Sequence, residues 1–147
     1  MPHFSNIIVE PDGPIINVQI GVSAQRRAAL AAANVAIPSH QIARLLIDTG
    51  ASMTSVDQTI LAALQLQPTG SVQMHTPSTG SNSIPVPTFD VELHFTGFAA
   101  SAHTFSTMGV LGCDFSGQNI DGLFGRDALK QATLFYSGPD DSWTMSF

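Results

Sequence analysis

The sequence predicts a mostly β domain, and three observations carry that prediction. Turn-forming clusters of Gly, Pro and Ser recur at short intervals, several short runs alternate apolar and polar residues, and only two brief stretches have helical spacing. At 147 residues the chain is long enough to bury a core without disulfides or metals. Its 44% hydrophobic and 11% charged residues fit a globular body and not a disordered one, so residues 1–147 read as one domain.

The elements follow in order. After a loose N-terminus, Pro14 to Val22 reads as a half-buried strand with Ile16, Val18 and Ile20 on one face and Asn17 and Gln19 on the other. Ser23 offers an N-cap to an Ala-rich helix from Ala24 to Ala33, closed by Asn34 and Pro38; Arg26 and Arg27 lie on its solvated surface and receive no role. Ala43 to Ile47 is apolar apart from Arg44 and leads into Asp48-Thr49-Gly50, which places that triplet where a buried strand ends in a turn. Ser55 and Gln58 have the spacing of a capping box, and Val56, Ile60, Ala63 and Leu64 repeat at helical intervals up to Pro68.

Val72 to Val86 has the form of a hairpin whose tip, Pro77-Ser78-Thr79-Gly80, is built from turn formers. Then comes the clearest alternation: Phe89, Val91, Leu93 and Phe95 on one side, Thr88, Asp90, Glu92 and His94 on a wet face. A Gly-rich passage from Gly109 to Gly117 precedes a second motif, Ile120-Asp121-Gly122-Leu123-Phe124-Gly125-Arg126-Asp127-Ala128-Leu129. Thr133 to Tyr136 reads as a strand, Ser137 to Ser142 as a polar turn, and Trp143, Met145 and Phe147 alternate on a final strand.

Charge narrows the function. Five Lys and Arg against eleven Asp and Glu give a net charge of −6, so the positive field that gathers nucleic acid or an anionic membrane is missing. A single cysteine, Cys113, and no signal-peptide pattern or apolar run long enough to span a bilayer point to a soluble, cytoplasmic protein. The five histidines, His3, His40, His75, His94 and His103, show no metal-ligand spacing and read as structural; only His75 lies near the hairpin tip. Cys113 reads as a small buried residue, and the glycines before Gly117 lack the Gly-Lys-Ser/Thr ending of a nucleotide loop. No metal and no cofactor is expected.

An Asp-Thr-Gly match alone is weak, because Asp before Gly is commonly a turn residue. Its context is what raises it: an apolar strand before, Gly50-Ala51-Ser52 continuing the turn, a hairpin after, and Leu123-Phe124-Gly125 far downstream. Leu45-Leu46-Ile47-Asp48-Thr49-Gly50-Ala51-Ser52, taken with Gly122-Leu123-Phe124-Gly125-Arg126-Asp127, resembles the retropepsin-like aspartic proteases. The likeness extends through the order of elements from about Pro14 to Phe147, and the helical insertion at Ala24 to Ala33 is similar to small bacterial members.

The resemblance implies a closed, barrel-like single lobe with a flap hairpin and short helices, working as a two-fold homodimer on a peptide or protein substrate. It implies that Asp48 of each subunit supplies half of a catalytic dyad. Two carboxylates about 3 Å apart cannot both ionise, so the pair shares one proton; one member activates a water while the other protonates the carbonyl. Thr49 would bond across the dimer axis and, with Gly50, keep the two loops in register. Gly50, Ala51 and Ser52 would line the substrate, and the flap, Gln73 to Ser81 with Thr76, Pro77, Ser78, Thr79 and Gly80 at its tip, would close over it. Leu123, Phe124, Gly125, Arg126 and Asp127 would support the loop.

Two departures matter. Ser52 stands where many retroviral members carry an acid that pairs with the motif arginine, which leaves Arg126 to find another, Asp57 or Asp127. Ala51 cannot offer the hydroxyl that favours a charged carboxylate in pepsin-like lobes, so a mildly acidic optimum is expected. Trp143 to Phe147 is expected to join the sheet between subunits, which would cover an edge. The alternative reading is a catalytically inactive retropepsin-like module for dimerisation or peptide binding. A metal-dependent hydrolase fits poorly, since no second acid or His lies at ligand spacing around the turn.

Overall fold

The computed structural model describes residues 1–75, 82–97 and 101–147. In chain order its elements are β1 (His3–Ile7), β2 (Ile15–Val22), α1 (Ala24–Ala32), β3 (Gln41–Ile47), β4 (Ser55–Asp57), α2 (Gln58–Ala63) and β5 (Gly70–Met74). β6 (Ile84–Thr96), β7 (Ala102–Cys113), β8 (Gly122–Phe124), α3 (Arg126–Leu129), β9 (Thr133–Ser137) and β10 (Ser142–Ser146) complete it.

Six strands close into a barrel in the order β2, β3, β8, β4, β7, β6, with β6 returning to β2 through the pairs Gln19↔His94 to Val22↔Val91. Closure leaves those strands without a free edge, and β5 adds to the outside of β6. The period-two pattern selects the inner face: Ile16, Val18, Ile20, Ala43, Leu45, Ile47, Val91, Leu93 and Phe95 are all buried in one core. Arg44 and Leu46, on the alternate positions of β3, are only half-buried. On α1, Ser23 caps the helix, its hydroxyl accepting the Arg26 N–H at 3.3 Å, and Asn34 closes it at φ 54°.

Several sequence expectations are corrected. The N-terminus is not loose: β1 pairs with β10 from His3↔Ser146 to Ile7↔Ser142. The capping box does not form, because Ser55 is committed to β4 between β7 and β8. Asp57 caps α2 instead, its carboxylate accepting the Thr59 N–H at 2.8 Å, and the helix buries Leu61 and Leu64 while Ala63 is exposed. The Gly-rich passage, to which the sequence assigned no element, begins as strand and leaves it after Cys113. β7 runs through Gly109 and Gly112, and a Cβ at Gly112 would stand 2.6 Å from the Phe89 ring, so packing rather than a loop requires glycine there.

The wet face of β6 is also interrupted. Glu92 is buried and its Oε1 receives both Arg27 Nη2 at 2.7 Å and His40 Nε2 at 3.0 Å, which ties α1 and the following loop to the barrel. Arg27 therefore has a structural partner. Burial pushes the Glu92 carboxyl up, but the bonds and charges of Arg27 and His40 outweigh it and hold the group below the usual carboxylate range.

The last strand does not present an edge to a second chain. β10 lies between β1 and β9 in a three-stranded antiparallel sheet, with Trp143 against Tyr136 and Asn6, and Met145 against Leu134 and Phe4. Phe4, Trp143 and Met145 join the barrel's core, so this sheet is packed onto the lobe. Among the described residues its free edges are β1 and β9.

Candidate active site

β3 carries the chain through the core and delivers Asp48 at the strand end, where Asp48 N–H donates to the Phe124 carbonyl at 3.0 Å. That bond extends the parallel pairing of β3 with β8, Leu45↔Gly122 to Ile47↔Phe124. β8 fits between β3 and β4 because Gly122 has no side chain: a Cβ there would stand 2.1 Å from the Ser55 carbonyl oxygen. The Asp-Gly-Leu-Phe-Gly motif thus lies directly beside the Asp-Thr-Gly turn, 70 and more positions upstream, as the hydrogen bonds at a separation of 71 to 77 residues record.

Within the turn, Asp48 Oδ1 accepts the Gly50 N–H at 2.8 Å and the Ala51 N–H at 3.3 Å. Oδ2 has no partner among the described residues. The carboxylate is half-buried, Thr49, Gly50 and Ser52 are exposed, and Ala51 is half-buried. The Thr49 hydroxyl likewise has no partner among the described residues, while both polar groups of the Gly50 backbone are engaged within the chain.

Arg126 does not find an acid. Its Nη1 donates to the carbonyls of Thr49, at 2.9 Å, and Gly50, at 3.0 Å, and its main-chain N–H donates to Ala51 O at 3.0 Å. The two acids expected as partners are already occupied. Asp127 accepts the Thr54 N–H on both oxygens, at 2.9 and 3.0 Å, and the Thr54 hydroxyl at 2.8 Å. Asp57 accepts from Thr59 and from the Phe115 N–H; burial raises its carboxyl, but the Thr59 hydroxyl and the Phe115 and Thr59 amides hold it below the usual range.

Thr54 is the residue that sequence reasoning missed. It is fully buried, and its hydroxyl also accepts the Gly125 N–H at 3.1 Å, so it joins the loop after Asp48 to the motif that contains Arg126. The only sequence hint is a short polar residue at the end of the turn that follows Asp48. Leu123 is half-buried, and Phe124 and Gly125 are buried beneath the loop. The flap tip, Thr76, Pro77, Ser78, Thr79 and Gly80, lies outside the described residues; its arms are β5 and β6, paired from Gly70↔Thr88 to Met74↔Ile84.

The other titratable groups form no rival centre. His94 bonds Thr104, His40 bonds Glu92, and Cys113 is half-buried, with burial pushing its thiol up and away from the reactive thiolate. Among the described residues no group of three or more His, Cys, Asp or Glu could hold a metal ion. A cavity of about 310 Å³ lies away from the Asp48 loop, between β1, β2 and β10, and is lined by Phe4, Ile16, Asn17 and Trp143 with no acid or base among them. No helix among the described residues is long and apolar enough to cross a membrane.

Asp48 thus stands at a strand end with its carboxylate held by the Gly50 and Ala51 amides and its loop braced by the distant Leu-Phe-Gly-Arg-Asp segment. No curated protein matches the chain. A family model described as aspartyl protease matches residues 33–128, which include both motifs and most of the barrel, and the chain belongs to that family as a retropepsin-like aspartic protease.

Proposed function

We propose that residues 1–147 form a single-domain aspartic endopeptidase that works as a homodimer, with Asp48 from each of two copies forming the dyad. The observation that carries this reading is the half-held carboxylate: Oδ1 is fixed by Gly50 and Ala51, and Oδ2 is left for a proton, a water or a partner carboxylate. One chain supplies one such group, and the chemistry needs an acid and a base. In the pair, one carboxylate takes a proton from the attacking water while the other protonates the carbonyl oxygen, giving a neutral tetrahedral diol that collapses with transfer of a proton to the leaving amine. No covalent intermediate is formed.

Thr49, exposed and with its hydroxyl unpartnered among the described residues, is suited to bond the second copy. Gly50, Ala51 and Ser52 would floor the cleft, and the hairpin on β5 and β6 would cover an extended peptide. With alanine at position 51 the optimum is mildly acidic. The test is cleavage of an unfolded protein across an acidic pH series. Asp48→Asn is expected to lower the rate by about 10²- to 10⁴-fold, and a statine-type inhibitor to block the wild type. Activity that survives the substitution would defeat the protease reading, and no activity under any condition would leave a peptide-binding or dimerisation module.

A further inference from the structure

Each amide that holds Asp48 belongs to a peptide unit whose other end is also held. The unit joining Thr49 to Gly50 gives its N–H to Asp48 Oδ1 at 2.8 Å and its carbonyl to Arg126 Nη1 at 2.9 Å. The next unit, joining Gly50 to Ala51, repeats the pattern at 3.3 and 3.0 Å, with its N–H shared between Asp48 Oδ1 and the Asp48 carbonyl, also at 3.3 Å. In a planar trans peptide the C=O and N–H point in opposite directions, so the guanidinium stands on one side of these two units and the carboxylate on the other. A cation at a carbonyl polarises the amide and makes its N–H a better donor, by about 10–30% per bond.

Resting on the reading of Asp48 as a catalytic carboxylate, we propose that Arg126 is a positioning residue for the reaction. Through these two peptides it orients the Asp48 carboxylate and tightens its hold on Oδ1, which keeps Oδ2 turned to the reacting atoms. Arg126 is exposed and pairs with carbonyls, not with a buried charge, so its contribution to fold stability is small. Its main-chain bond to Ala51 does not depend on the side chain. Both bonds come from the one nitrogen Nη1, so lysine, with the same charge and three donors on a shorter and differently directed side chain, restores the arrangement only in part.

The experiment compares the full-length wild type with Arg126→Met, Arg126→Lys and Asp48→Asn. In Arg126→Met the Gly50 and Ala51 amide protons are expected to move upfield in the nitrogen-correlated spectrum and to exchange faster, with the remaining amides in place and Arg126→Lys in between. On a peptide substrate Arg126→Met should lower kcat by roughly 10²-fold, with KM and the unfolding midpoint near wild type. Unmoved Gly50 and Ala51 amides overturn the proposal whether or not the chain cleaves peptides. An unchanged kcat, a loss of kcat that follows a loss of stability, or a lysine variant no better than methionine also overturns it. Asp48→Asn judges the underlying reading separately, because cleavage that survives it removes the catalytic role while the amide shifts still report on Arg126.

Discussion

Every polar group of Thr54 is used. Its N–H and hydroxyl meet Asp127, the hydroxyl also receives the Gly125 N–H, and its carbonyl receives the Leu111 N–H at 3.0 Å. Valine has nearly the same shape and none of the hydroxyl bonds, so Thr54→Val leaves the Gly125 amide unpaired in a fully buried place. The expected cost is about 2 kcal/mol, read as a lower urea midpoint with an unchanged slope. A loss under about 0.5 kcal/mol would show that Asp127 holds the two motifs together without the hydroxyl. Because the junction lies beneath the Asp48 loop, activity should fall as well, and by more than stability alone explains.

For the homodimer proposed above, we propose that the second copy docks at the three-stranded sheet of β1, β10 and β9. β9 is a free edge with Phe135 and Tyr136 exposed, at 65% and 55%, whereas the barrel strands have their neighbours already. Phe135→Lys with Tyr136→Lys is expected to shift the sedimenting species to monomer and to make specific activity fall steeply on dilution. An unchanged dimer would place the seam elsewhere. Much at this scale was legible in the sequence. β2, β3, the hairpin arms and the capped helix α1 rest on local patterning, and Asp48 stands out because a strand, a turn and a distant motif agree. What was not legible depends on contacts far apart in the chain. Glu92 reads as solvent-facing until Arg27 and His40 arrive, and Arg126 reads as an ion-pair partner until Thr54 claims Asp127. β1 lacks a clear alternation and owes its existence to β10.

At the scale of the whole molecule, acid weakens the fold in two stages. Burial pushes the His103 imidazole below its ordinary value of 6.5, and its ring stacks on Phe147 with centroids 4.0 Å apart. The unfolded chain therefore binds that proton more readily, so this contribution is complete above about pH 6.5 and is lost as the pH falls below it. Glu92 and Asp57, both held low, contribute above the ordinary carboxylate range and are lost at lower pH still. Thermal unfolding should show a midpoint that declines from pH 7 to 5 and then more steeply below pH 4. His103→Leu should flatten the first decline only; a decline of the same slope would assign it to another group. The mildly acidic optimum proposed for the dyad falls inside the first stage, so activity and stability pull in opposite directions there. The placement of β10 between β1 and β9 also sets an order of events during synthesis. Ser5 meets Thr144 across a separation of 139 residues, so β1 waits unpaired until β10 has left the ribosome. Under the homodimer reading, the β9 edge proposed to receive a second copy emerges long after Asp48 does, so a growing chain holds a lone Asp48 and can gain a cutting pair only once β9 has been made and seated against β10.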